Sequence, residues 1–389
     1  MKEIYLDNNA TTKVDEAVFE EMRPYFCDLY GNPSSMHFFG GQVQKKVDEA
    51  RNRVAALLGA MPDEIIFTAC GTESDNTAIR SALEVFPEKR HIITTRVEHP
   101  AVLTMCRNLG KRGYRVTELN VDSEGRLDLD ELRKAVDDDT VIVSIMHANN
   151  ETGVMFPIEE ISAIVKEKGA LFHTDAVQAV GKVPLNMASS TVDMLSLSGH
   201  KLHAPKGIGV LYLRKGVPFR PCMVGGHQER NRRSGTENTA SIIALGKACE
   251  VAGQFIDDEN TRIRSMRDRL EKELLALIPN GRINGGKAER LPNTASIAFE
   301  FVEGEAILLL LSEHGICASS GSACTSGSLE PSHVLRAMGV PFTCAHGSIR
   351  FSLSRYTTDT EIDLVIRVLP GIIRRLREMS PFGREFLSA

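Results

Sequence analysis

Leu195-Ser196-Leu197-Ser198-Gly199-His200-Lys201 is an apolar, strand-like run that stops at hydroxyls, an imidazole and one lysine. A lysine beyond a buried strand can lose water, which lowers its pKa and leaves an amine able to form a Schiff base. Taken alone, Ser-Gly-His-Lys reads better as solvated loop, because lysines in loops are common. The stretch upstream reverses that reading. Ala170-Leu171-Phe172-His173-Thr174 is a second short apolar run, and it ends at Asp175 with Gln178 just beyond. Ligands of open α/β sheets sit at the carboxyl ends of the strands, so the two ionisable groups can share one site. An acid that keeps a pyridine nitrogen protonated and a lysine for an aldehyde are what pyridoxal phosphate (PLP) requires, its protonated ring acting as the electron sink. An NAD site needs neither.

The bulk numbers agree with small-molecule chemistry. A chain of 389 residues suggests two or three domain-sized units, and 42% hydrophobic with 25% charged residues is the composition of a soluble globular protein. A net charge of −5 gives no electrostatic reason to expect nucleic acid. The first residues lack the apolar core of a signal peptide, and no apolar run is long enough for a bilayer, so a cytoplasmic protein without a membrane partner is expected. Eight cysteines with no Cys-x-x-Cys pair read as reduced thiols rather than a zinc site or a disulfide framework.

Along the chain, Asp15 can cap a helix with Val18, Met22 and Phe26 on one face. A second helix carries Val43, Val47, Val54 and Leu58, with Arg51 and Arg53 in its polar register. After the strand Ile65-Ile66-Phe67-Thr68, Gly71 and Thr72 open a helix whose free N–H groups suit a phosphate, although threonine is also an ordinary cap. A strand at 92–95 delivers Glu98-His99-Pro100 to the same edge. Strands near 114–119 and 141–145 alternate with helices, the pattern of a mostly parallel, helix-covered sheet. The second of them leads to Asn150, whose amide either satisfies loop backbone or reaches a ligand. The glycine-rich, basic segment 225–238 is, on composition, a solvated loop. From Asn238 a helical pattern runs to about residue 278 and breaks near Asp257-Asp258-Glu259-Asn260. That break sets the expected boundary between a large domain, 15–256, and a small one made of 1–14 and 257–389. Residues 317–330 hold too many small polar residues for a helix or strand and are expected to form a mobile loop carrying Cys324. Arg350 follows in Ile-Arg-Phe-Ser, and arginine binds a carboxylate bidentately.

Thr174-Asp175-Ala176-Val177-Gln178 and Ser198-Gly199-His200-Lys201 resemble the cofactor motifs of the class V branch of fold-type I PLP enzymes. The match runs from Tyr5-Leu6-Asp7-Asn8-Asn9-Ala10-Thr11-Thr12 to Ile349-Arg350-Phe351-Ser352, nearly the whole chain. The Cys324 loop resembles that of the group I cysteine desulfurases. The resemblance implies an α/β fold, with a mostly parallel seven-stranded sheet in the large domain and a smaller α+β domain. It implies PLP on Lys201, its ring nitrogen held by Asp175, its ring covered by His99, which also handles protons, and its ring oxygen bonded by Gln178. Gly71, Thr72, Ser198, His200 and Thr236 of the partner subunit would hold the phosphate, which makes the protein a homodimer. Asn150 and Arg350 would hold the substrate carboxylate, with Asn150 also within reach of the ring.

The implied reaction takes L-cysteine to alanine and leaves a persulfide on Cys324 for an iron–sulfur scaffold protein. Cys324 is also a candidate iron ligand in a cluster shared with that scaffold. Gly327-Ser328-Leu329-Glu330-Pro331-Ser332-His333 and Pro341-Phe342-Thr343-Cys344-Ala345-His346-Gly347 look more like the nitrogen-fixation desulfurases than the housekeeping ones. A housekeeping desulfurase and a selenocysteine lyase stay open as alternatives. An aminotransferase has no need of the loop thiol, and a non-catalytic assembly platform has no need of Lys201 and Asp175.

Overall fold

Apolar runs without alternation, such as Ile65-Ile66-Phe67 and Val141-Ile142-Val143, become strands buried on both faces, as a helix-covered parallel sheet demands. The computed structural model describes residues 3–320 and 331–380. In chain order the strands are β1 (Ile4–Tyr5), β2 (Ile65–Thr68), β3 (His91–Thr95), β4 (Arg115–Leu119), β5 (Thr140–Ser144), β6 (Leu171–Asp175), β7 (Met194–Ser198) and β8 (Gly209–Leu213). They are followed by β9 (Gly281–Ile283), β10 (Thr294–Phe299), β11 (Ile316–Cys317), β12 (Ser319–Ser320) and β13 (Ser348–Ser352). The main sheet has seven strands in the order β2-β8-β7-β6-β5-β3-β4, and β8 alone runs antiparallel to its neighbours. That is the mostly parallel α/β sheet expected from the alternation of strands and helices.

The carboxyl ends of β2, β3, β5, β6 and β7 therefore lie along one edge. The loops leaving that edge carry Gly71, His99, Asn150, Asp175 and Lys201. Helices cover the sheet. Gly71–Val85 and Pro100–Gly110 bury Ala78, Ile79, Val102 and Cys106 against Ile92, Ile142 and Leu211. On the other side Phe38–Leu58 and Thr239–Asp258 pack side by side, with Val47 and Val54 in the same cluster as Leu245 and Ala248.

A second sheet, β12-β13-β10-β9, is antiparallel throughout and has its own core of Ile297, Phe299, Ile349 and Phe351 with the amphipathic helix Asp359–Met379. A capping box starts that helix: Thr358 accepts from the Glu361 N–H while the Glu361 carboxylate accepts from the Thr358 N–H. The N-terminal arm joins this second core through Ile4 and Leu6, with β1 pairing parallel to β11. The segment after residue 331 returns to the main sheet instead, where Val334, Leu335 and Met338 pack in its cluster.

Four expectations need correction. Cys317 and Ser319–Ser320, read as part of a loop, belong to β11 and β12, where backbone pairing outweighs their small polar side chains. Phe26 does not share the face of Val18 and Met22, because that helix ends at Met22 and Pro24 opens a separate turn, Pro24–Cys27, on which Phe26 is exposed. The polar stretch at 257–260 does not break the helix, because Thr239–Asp258 passes through a π turn at Glu259–Ile263 into Arg264–Leu277. Glu259 is buried at 7% exposure, so its polarity serves the interior and is no sign of a loop. Arg51 also leaves the polar register. It is buried and forms a bidentate pair with Glu229 at 2.8 and 2.7 Å, which anchors the segment 225–238 that composition reads as solvated.

Candidate active site

At the carboxyl edge of the main sheet a cavity of about 320 Å³ opens, a volume that suits a cofactor-sized ligand. Of the residues expected in a site, it brings together Gly71, Thr72, His99, Asn150, Asp175, Gln178, Ser198, His200, Lys201 and Arg350. Thr236 is exposed and does not line it. Cys324 lies outside the described residues. So does the question of a cluster on it, and among the described residues no group of three or more His, Cys, Asp or Glu could hold a metal.

The strand ends position each group. Lys201 follows β7 in a single 3-10 turn, Gly199–Lys201, and its Nζ donates to the carbonyls of Asn9 at 2.5 Å and Ala10 at 2.6 Å. Asp175 ends β6 at 6% exposure, and its Oδ1 accepts from the Val177 N–H at 2.9 Å. Burial pushes the Asp175 carboxyl above its ordinary pKa, and the nearby His99 and Lys201 act against that. A protonated ring nitrogen beside this carboxylate would offset the cost of burying its charge. His99 caps the helix Pro100–Gly110 by accepting from the Ala101 N–H at Nδ1, 3.2 Å. Burial lowers its pKa, with the charge of Asp175 acting against that.

The helix Gly71–Val85 aims its N-terminus into the cavity, where its first N–H groups have no helical acceptor. A Cβ at Gly71 would sit 2.9 Å from Val177 Cγ2, so a larger residue would require Val177 to shift where the helix starts beside the end of β6. Ser198 and His200 stand on the adjacent strand end. His200 is lowered to about 4 by burial and then by the charge of Lys201. A helix N-terminus, hydroxyls at 72 and 198, a buried acid and a lysine on neighbouring strand ends fit the phosphate, ring nitrogen and aldehyde of PLP. The donor set matches the cofactor.

Arg350, on β13, reaches the cavity from the second sheet at 3% exposure. It donates to the Asn150 carbonyl at 2.9 Å and pairs with Asp7 at 2.7 Å, and its Nε is buried without a hydrogen-bond partner. Asn150 thus meets Arg350 through its backbone oxygen. That oxygen also accepts from Asn9 Nδ2 at 3.2 Å.

Sequence reasoning missed several wall residues. Asn9 and Ala10 act through main-chain carbonyls, and the only available signal was the Asp7-Asn8-Asn9-Ala10-Thr11-Thr12 stretch that belongs to the family match. Asn9 is tied down by Ser352, Thr294 and Asn293, which fixes the arm to the second sheet while it faces Lys201. Thr12 and Thr11 reach His200, the first through its backbone oxygen at 2.9 Å and the second through its ring at 3.1 Å. Asp75 was also missed. It lines the cavity at 1% exposure, with its Oδ1 3.6 Å from His173 and unpartnered by any hydrogen bond. Burial and then the charge of Asp175 push it well above the usual carboxylate range.

The model of the aminotransferase class-V family matches residues 4–365. A cysteine desulfurase of Nostoc sp. is 64% identical over 385 residues, spanning 99% of this chain and 96% of its own length. The cysteine desulfurase NifS of Azotobacter vinelandii is 60% identical over 383 residues, spanning 98% and 95%. Among solved structures, a NifS-like protein superposes with a TM-score of 0.90 at 42% identity, covering 96% of this chain and all of the other. The NifS-like protein of Rickettsia africae gives 0.86 at 33% identity, covering 96% and 100%. The mostly parallel seven-stranded sheet is consistent with the fold of these structures. With the family model covering most of its length and curated relatives above 60% identity, the chain belongs to the class-V aminotransferase family, in the branch of the cysteine desulfurases.

Proposed function

We propose that this protein is a PLP-dependent cysteine desulfurase that converts L-cysteine to L-alanine and carries the sulfur as a persulfide on Cys324. The observation that carries the reading is the convergence of Lys201, Asp175, His99 and the Gly71 helix N-terminus on one cavity. When bound, PLP supplies an aldehyde for the amino group and a protonated ring that takes up an electron pair. Gly71, Thr72, Ser198 and His200 would hold its phosphate, Asp175 its ring nitrogen and Gln178 its ring oxygen.

The chain's own residues do the rest. Arg350 and the 150 region bind the substrate carboxylate, which orients its Cα toward the Lys201 amine. Lys201 Nζ removes the Cα proton. The thiolate of Cys324 attacks the substrate sulfur, so that a sulfur–sulfur bond forms as the carbon–sulfur bond breaks, and His99 handles the proton that Cys324 gives up. Atoms balance as L-cysteine plus thiol giving alanine plus persulfide.

Three parts of the reading extend past this site. Sulfur transfer to an iron–sulfur scaffold of the nitrogenase type is supported by similarity to proteins named NifS. A homodimer with Thr236 of the partner subunit at the phosphate is supported by the exposure of Thr236 and of the apolar Tyr30, Met36, Phe38 and Val224. Sedimentation at the monomer mass would oppose that assembly. The division into 15–256 and 1–14 with 257–389 is supported by the two separate sheets, each with its own core, while Val334, Leu335 and Met338, which pack in the main cluster, speak against it for the segment around them.

The enzyme test is direct. Purified protein with PLP and L-cysteine should release alanine, and Lys201→Ala should lower the rate at least a thousandfold, on the order of what loss of an essential nucleophilic amine removes. Alanine release by Lys201→Ala at the wild-type rate would sink the proposal.

A further inference from the structure

Lys182 stands in the turn beyond β6, buried at 7% exposure, and no step of the expected chemistry uses it. Its Nζ donates to the Gln178 carbonyl at 3.0 Å and to Gln178 Oε1 at 3.2 Å. An ammonium only donates, so the oxygen end of that amide must face Lys182. At the other end Gln178 Nε2 donates to the Asn9 carbonyl at 3.0 Å, and a carbonyl only accepts. Two contacts of opposite chemistry therefore define which end of the amide is which, the question a glutamine alone leaves open. The Asn9 oxygen also receives Lys201 Nζ, so Lys182, Gln178, Asn9 and Lys201 form one chain of donors and acceptors along the cavity wall.

Burying an ammonium is expensive unless it is compensated. Burial pulls the Lys182 pKa down while the charge of Glu259, in the π turn, acts the other way. Asn260 from the same turn donates to the Lys182 carbonyl at 2.8 Å. The lysine is thus a strut from the junction of two helices to the wall of the site. A methionine would fill the same space at lower electrostatic cost. What an ammonium adds is a donor aimed at Gln178.

We propose that Lys182 is a positioning residue that locks the Gln178 amide with its N–H end along the cavity wall, presenting a donor to an oxygen of the bound group. The assignment rests on the proposed function, in which that oxygen is the ring oxygen of PLP. Without Lys182 only the Asn9 carbonyl holds the sense of the amide, and Gln178 Oε1 loses its ammonium donor, so a turned amide that sets its oxygen against another acceptor is no longer opposed from both ends.

The test is equilibrium dialysis of the apoprotein against PLP and against the 3-deoxy analogue, which lacks the ring oxygen. Lys182→Met should weaken PLP binding by roughly tenfold, about one net hydrogen bond, and leave the analogue unchanged. Lys182→Arg, which keeps the donors, should recover part of the loss. In a Gln178→Leu background, Lys182→Met should add nothing. If Lys182→Met does not fold, Lys182→Met with Glu259→Gln removes the stranded carboxylate and carries the same measurement. Equal losses for both ligands, or no loss for PLP, overturn the role of Lys182 while leaving the proposed function standing. A wild-type apoprotein that binds no PLP overturns both.

Discussion

Glu151 lies at 4% exposure beside the cavity and takes a short hydrogen bond from Ser332 Oγ. Burial pushes its pKa up to about 7, against the lowering effect of Ser332 and of Arg350. A folded pKa above the unfolded value means that the proton favours the folded state. The contribution is complete below the unfolded pKa and is lost as pH rises through about 7. Glu151→Gln removes this titration. The stability of wild type relative to Glu151→Gln should therefore fall by about 1 kcal/mol between about pH 6 and about pH 8, read from urea midpoints. Parallel pH profiles would contradict the assignment. At this scale the sequence was readable where a side chain ends an apolar run, as Lys201 and Asp175 do. It was silent on Asn9 and Ala10, because any residue has a carbonyl oxygen. Asp75 was equally silent, since a carboxylate in the first turns of a helix looks like ordinary surface until the sheet is laid against it.

The start of the helix Gly71–Val85 depends on its neighbours in the sheet. Gly209 opens β8 between Thr68 and Ser198, and a Cβ there would meet the Cys70 carbonyl carbon at 2.7 Å and the Leu197 oxygen at 2.9 Å. Backbone cannot yield as a flexible side chain can, so Gly209→Ala should push Cys70 and Gly71 out of place. The expected result is PLP affinity lowered by roughly tenfold or more, with inorganic phosphate protection against thermal unfolding lost as well, as for a displaced anion site. Unchanged affinity for both would mean that the helix N-terminus is no phosphate site. Strand and helix order was legible because a parallel sheet writes itself as continuous apolar runs separated by helical periodicity. The burial of Glu259 in the π turn and of Arg51 was not, because the partners that meet them, Lys182 and Glu229, are distant in sequence.

Across the whole molecule the site is a seam. The main sheet supplies the lysine, the acid and the helix N-terminus, the second sheet supplies Arg350, and the arm reaches both, through Asp7 to Arg350 and through Asn9 and Ala10 to Lys201. Any shift between the two sheets would move Arg350, the proposed substrate carboxylate site, relative to the amine. That arrangement suits a reaction in which a group held by one part of the chain must be presented to a base held by another. Among the described residues no helix is long and apolar enough to cross a membrane. The fold alone would serve many class V reactions, and in the proposed function the thiol at Cys324 is what separates desulfuration from them. The measurement that tests this most directly is mass spectrometry of the PLP-loaded protein after incubation with L-cysteine, with alanine quantified in the same sample. The account predicts a mass gain of one sulfur on the peptide carrying Cys324 in the wild type, and neither that gain nor alanine in Cys324→Ala, which should still bind PLP. Alanine formed by Cys324→Ala at the wild-type rate would contradict it.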